Sequence, residues 1–187
     1  LPLDRWDAMK RIKALLRWFA DAREGVAALE FALIAPIMIG FYIAAAEFSQ
    51  AFLVDNKIEH AASALADLAA QTSSIGSAEM TNILDAASTI VAPFPAADLG
   101  LRLSGVKVNS SGIARVAWSR ARGRLSPRGT DSVVTLPNSL NAPNSFLVMA
   151  EVIYDYTPLV GRVLPTEMQL DSTFYTRPRL SNEITLQ

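Results

Sequence analysis

The chain of 187 residues has no cysteine and only one histidine. Without cysteine there is no disulfide framework, no thiolate metal site and no thiol nucleophile. His60 has no second histidine to join it as a metal ligand, and its setting is that of a solvated helix-surface residue. Also missing are a glycine-rich phosphate loop, a Gly-x-Ser-x-Gly elbow and a Ser-x-x-Lys signature. Glu151 and Asp155 share a strand face, but in an extended chain they lie too far apart for one reaction centre and read as a solvent-exposed face. These absences point away from an enzyme, and nothing implies a cofactor or metal. A surplus of one charge is missing too. The net charge of −1 argues against a nucleic-acid binder at the level of the whole chain.

What the chain does have is one long apolar run. From Phe31 to Ala46 nothing is charged, and between Val26 and Val54 the only charges are Glu30 and Glu47. A helix needs roughly 20 apolar residues to cross the hydrocarbon core of a bilayer, and residues 26–54 meet that requirement as a membrane anchor. Ala44-Ala45-Ala46 has the small-x-small spacing of a secretory cleavage site, but the apolar helix continues through Phe48, Ala51, Phe52 and Leu53, which favours retention of the segment. Glu30 is out of place. A charge at a helix centre costs on the order of 2.5–3.5 kcal/mol to insert, less near an end, so its presence asks for a functional reason.

Charge sets the orientation. Residues 1–24 carry six bases (Arg5, Lys10, Arg11, Lys13, Arg17, Arg23) against four acids, whereas Lys57 beyond the anchor is flanked by Asp55 and Glu59. Basic residues stay on the cytoplasmic side of a first span, so residues 1–25 are expected inside and residues 55–187 outside. Trp6, Met9, Ile12, Leu16 and Phe19 recur at helical spacing between the bases, a short basic amphipathic segment suited to the inner membrane surface.

The anchor helix is expected to continue outward. Ile58, Ala62, Leu65 and Ala69 keep its period on an Ala-rich stretch without Gly or Pro, giving one helix from Val26 to about Gln71. Pro36 removes a backbone donor and crowds the carbonyl of Ala32, so a kink is expected there. After a break at Thr72 to Gly76, Ser77 caps a second helix with Met80, Ile83, Leu84, Ala87 and Ile90 or Val91 on its buried stripe, ended by Pro93-Phe94-Pro95. The period then becomes two. Strands are expected over Leu99 to Val108, from Ile113 through Trp118, over Phe146 to Tyr156, and over about Met168 to Thr176. The stretch Ser119 to Asp131 reads as a polar, hydrated loop, and its Arg120, Arg122, Arg124 and Arg128 form a basic patch able to meet an acidic partner or phosphate. The fold class is α+β: a long N-terminal transmembrane helix running into a domain with a second helix and about four antiparallel strands, the helices on one sheet face.

Gly25-Val26-Ala27-Ala28-Leu29-Glu30-Phe31, between a basic leader and a long apolar helix, resembles the prepilin processing site of type IV pilin-like proteins. The longer pattern ending in Ala32-Leu33 and Pro36 looks like the TadE family of the tight-adherence (Tad/Flp) pilus. The segments Tyr154-Asp155-Tyr156-Thr157-Pro158-Leu159 and Tyr175-Thr176-Arg177-Pro178-Arg179 are similar to that family's closing strands. The resemblance implies cleavage by a prepilin peptidase between Gly25 and Val26, which makes Glu30 the fifth residue of the mature chain, and an assembly role for Glu30 and Phe31. It further implies a pilin-like protein of the bacterial inner membrane with a periplasmic domain, working with other pilins or pseudopilins and the pilus assembly platform, and able to enter the pilus. Glu24, directly before Gly25, departs from the basic residue commoner there. The alternative is an unprocessed single-pass binding or adaptor module with an outward domain.

Overall fold

The computed structural model describes residues 9–11, 13, 14, 17, 23–158 and 167–187. Most of the amphipathic segment expected over residues 5–20 therefore lies outside the described residues. By internal contacts the chain divides into two compact units, Leu1–Ala46 and Glu47–Gln187.

Helix α1 runs Arg23–Ala70, as the unbroken periodicity predicts, and continues through Pro36. In the first unit it is apolar on every side and exposed on every side. Phe31, Ile37 and Phe41 are each more than 70% exposed, and Val26, Leu29, Leu33, Ile34, Met38 and Ile39 are exposed as well. Shielding these nine side chains from water is worth on the order of 15–25 kcal/mol. The segment is long and apolar enough to cross a membrane.

In the second unit α1 becomes one-sided. Ala51, Val54, Ile58, Ala61, Ala62, Leu65, Ala66 and Ala69 are buried at helical spacing, while Phe48, Phe52, Glu59 and His60 stay exposed. Glu47, Ala51 and Val54, read from the sequence as the anchor's outer end, thus bury side chains in this unit. The Ala-rich face shares one core with side chains of the sheet. Helix α2, Ser77–Ile90, buries Met80, Ile83, Leu84 and Ala87 as expected. Its N-cap is Gly76 rather than Ser77, with no side-chain cap, so the expected Ser77 cap is corrected. The first bond of the helix runs from the Met80 N–H to the Gly76 carbonyl at 2.9 Å, and Glu79 sits where the dipole favours an acid.

Five antiparallel strands form the main sheet. In chain order they are β2 (Leu99–Val108), β3 (Ala114–Gly123), the two-residue β4 (Val133–Val134), β5 (Phe146–Tyr156) and β6 (Met168–Thr176), arranged β4-β3-β2-β5-β6. A separate parallel pair joins β1 (Ser74–Ile75), inside the predicted break, to β7 (Thr185–Leu186). This pairing returns the C-terminal segment to the end of α1, where the Arg179 N–H donates to the Ala70 carbonyl and its guanidinium pairs with Asp67.

The sheet is buried on both faces. One face, through Leu99, Leu101, Leu103, Trp118, Val148, Ala150, Val152 and Tyr154, joins the two helices in the larger core. The other carries a smaller core of Val106, Val108, Val116, Leu147 and Met149 under Val134 and Leu136. That second layer explains why β2 and β5 read as near-continuous apolar runs rather than clean alternation. The pairing of β2 with β3 shifts register between Gly105 and Val106, leaving Ala117 as the extra residue of a bulge on β3.

Candidate functional site

Two groups of residues carry the candidate chemistry, one in each unit. In the first unit Gly25 lies two residues into α1 and Val26, Glu30 and Phe31 follow in its first turns, all exposed. A Cβ built on Gly25 would meet nothing within 4 Å. Packing therefore gives no reason for glycine, although in a helix it is less favourable than alanine by about 1 kcal/mol. Glu30 makes no ion pair among the described residues. Val26 and Glu30 are four residues apart, hence neighbours on one side of the helix, separated by about one turn.

In the second unit the four arginines read as a loop patch are separated by the fold. The expected loop from Ser119 is strand through Gly123, because the bulge at Ala117 lets β3 continue to pair with β2. Arg120 and Arg122 stand on the helix side of β3, opposite Leu103 and Leu101. Arg122 pairs with Asp85 of α2, and the Arg120 guanidinium donates to the Ser119 carbonyl at 3.0 Å. Gly123, at φ +70°, then turns the chain, and a side chain there would collide with the Leu99 carbonyl. The segment that follows crosses the other sheet face. Arg124 pairs with Asp155, and Arg128 reaches Glu151. Three of the four arginines thus meet carboxylates of this chain.

Glu151 is the centre of that face, and the expectation of a solvent-exposed acid there is corrected. Its carboxylate is held by two guanidinium forks. Arg102 donates through Nε and Nη2 at 2.6 Å each, and Arg128 through Nε at 3.0 Å and Nη2 at 2.6 Å. The Glu151 side chain is 12% exposed, Arg102 16% and Arg128 34%. Burial pushes the Glu151 carboxyl up, but the hydrogen bonds from Arg102 and Arg128 outweigh it and hold it below the usual carboxylate range. The Arg128 guanidinium is raised above its ordinary value, chiefly by its bond to Glu151. Arg102 Nη1 also donates to the Ser126 carbonyl at 3.1 Å, and the Arg128 N–H to Ser119 Oγ at 3.0 Å, which in turn meets buried Ser104 Oγ at 2.9 Å. The result is a polar clasp tying the 124–128 segment to β2, β3 and β5. The signal in the sequence was Arg102, a charge set between Leu101 and Leu103 on a mostly apolar strand.

A cavity of about 610 Å³ opens at the turn end of β2 and β3, over Val108, Ile113, Val116 and Phe146. Two ion pairs rim it, Lys107–Glu183 and Arg115–Asp131, each satisfied within the pair. Among the described residues no three His, Cys, Asp or Glu side chains group as a metal site.

Comparison with curated proteins and with solved structures finds no match. A family model described as TadE-like protein matches residues 25–67, from the exposed glycine through the apolar helix and into the Ala-rich face that packs on the sheet. Over that segment, less than a quarter of the chain, the sequence is similar to TadE-like proteins, a family associated with the Tad pilus.

Proposed function

We propose that this chain is a non-enzymatic, membrane-anchored minor pilin-like protein required for assembly of a tight-adherence pilus, cut by a prepilin peptidase between Gly25 and Val26. The observation carrying this reading is that the family match begins at Gly25, a helical glycine for which packing gives no reason, and continues into an apolar helix exposed on every side.

The physical logic concerns charge. Cleavage creates an ammonium on Val26 at the start of an apolar helix, one turn from Glu30. A helix N-terminus favours a carboxylate in its first turn, and a carboxylate in lipid needs a cation to offset its desolvation. In a stack of such helices, the ammonium of one subunit meets the Glu30 carboxylate of its neighbour, so Glu30 becomes a docking charge once Val26 is an N-terminus. Phe31 would pack beside it, and Pro36 would bend the anchor. The basic residues before Gly25 hold that end in the cytoplasm and leave the domain in the periplasm, with the inner membrane between. The peptidase, other pilins or pseudopilins and the assembly platform are then its partners. Its place is in priming or supporting the pilus.

N-terminal sequencing of the protein extracted from membranes is the test. The expected start is Val26. A start before Gly25 would instead support the unprocessed adaptor, and a start at Glu47 would mark a cleaved secretory signal.

A further inference from the structure

The two edges of the main sheet are built differently. On the β3 side the edge is blunted: β4 covers it for only two residues, and the 124–131 segment is clasped beside it through Ser119, Arg115 and Arg128. On the other side, β6 pairs with β5 and with nothing else among the described residues. Its nine residues pair in unbroken register from Met168 to Thr176. They include no proline, lysine or bulge, the devices that usually keep an edge from recruiting another strand. The run Thr173-Phe174-Tyr175-Thr176 instead has high strand propensity.

The side chains of β6 say what would fit beside it. Met168, Leu170, Ser172 and Phe174 oppose Tyr156, Tyr154, Val152 and Ala150, so they lie on the helix side of the sheet. Met168 and Leu170 pack partly against the larger core, whereas Phe174 is 40% exposed. On the other face Asp171 is exposed and makes no ion pair among the described residues, unlike the neighbouring Glu151 and Asp155.

We propose that the edge of β6, unpaired among the described residues, accepts an extended segment of a partner protein as a sixth strand. That segment alternates: its residues on the helix side are apolar and cover Leu170 and Phe174, and those on the other side include a lysine or arginine opposite Asp171. Main-chain hydrogen bonds supply affinity and the alternate side chains supply specificity. A second copy fits less well, because β6 carries no cation to offer Asp171. The interaction does not depend on cleavage at Gly25.

The test places a photo-crosslinking amino acid, one position at a time, at Leu170, Ser172 or Phe174 of the full chain in its native membrane, with adducts mapped by mass spectrometry. The expected adducts fall on one partner segment at residues spaced by two, the period of a strand. Asp171→Lys should lower the adduct yield about two- to five-fold while leaving the fluorescence of Trp118 unchanged. Adducts joining two copies of this chain, adducts without a two-residue spacing, or no adduct at all would each overturn the proposal.

Discussion

Replacing Glu151 by glutamine keeps the shape of the side chain and removes the acceptor that four guanidinium N–H groups share. The glutamine amide offers one oxygen and turns an NH₂ toward two cations that remain three-fifths buried or more. Breaking a buried ion pair by removing one partner costs about 3–5 kcal/mol. Arg128 is a third exposed, so water compensates part of its loss, and the low end, about 3 kcal/mol, is expected. At 25 °C that is roughly a hundred-fold rise in the unfolding constant. Arg102→Ala or Arg128→Ala alone should cost less, because the other fork remains, and the double variant should cost more than the sum of the singles, because it leaves the carboxylate without either cation.

Urea unfolding of the full chain in detergent micelles measures this. Trp118 is one of three tryptophans and lies in the sheet, so Trp6→Phe and Trp18→Phe leave it as the only reporter. The pH dependence has a definite sign. The folded Glu151 carboxyl sits below its unfolded value, so its stabilisation is full above about pH 4.3 and is lost as the pH falls through the folded value. The wild-type chain should lose stability in that acid range more steeply than Glu151→Gln. A loss below about 1 kcal/mol, or equal acid slopes for both proteins, would refute the clasp as a stabilising element.

Gly105→Ala should destabilise the second unit by about 1–3 kcal/mol, since a Cβ there would lie 2.5 Å from the Trp118 indole and 2.6 Å from the Phe146 ring and must displace them; near-ultraviolet circular dichroism would show the altered packing. Lys57→Met should destabilise the second unit by about 1–2 kcal/mol in the same urea assay, because Lys57 Nζ donates to the Ile90 and Ala92 carbonyls at the end of α2, at 3.1 and 2.6 Å. Gly25→Ala should leave membrane insertion intact and block processing, read as retention of the uncut band on a gel. Glu30→Ala should be inserted and cut normally yet fail to support pilus assembly, read by electron microscopy of the cell surface.

Much was legible in the sequence because it rests on local pattern. An apolar run free of charge from Phe31 to Ala46, a 3.6-residue period continued by Ile58, Ala62, Leu65 and Ala69, and the switch to a period of two at Leu99 depend only on which side chains avoid water. They located α1, α2 and the long strands β2, β5 and β6 to within a few residues. Glu30 stood out for the same reason, as a charge in an apolar run, whereas Gly25 was marked only by the resemblance of its motif. What tertiary structure decided depends on pairs distant in sequence. The bulge at Ala117 kept β3 running to Gly123 and put Arg120 and Arg122 on the helix side. Arg102 and Arg128, 49 and 23 residues from Glu151, converged on it and converted an apparently exposed acid into a largely buried clasp. The return of Thr185–Leu186 to Ser74–Ile75 likewise joins segments too short to announce themselves. Hydrophobic periodicity is written residue by residue, whereas the partner of a charge or of a two-residue strand is fixed only when the chain closes on itself.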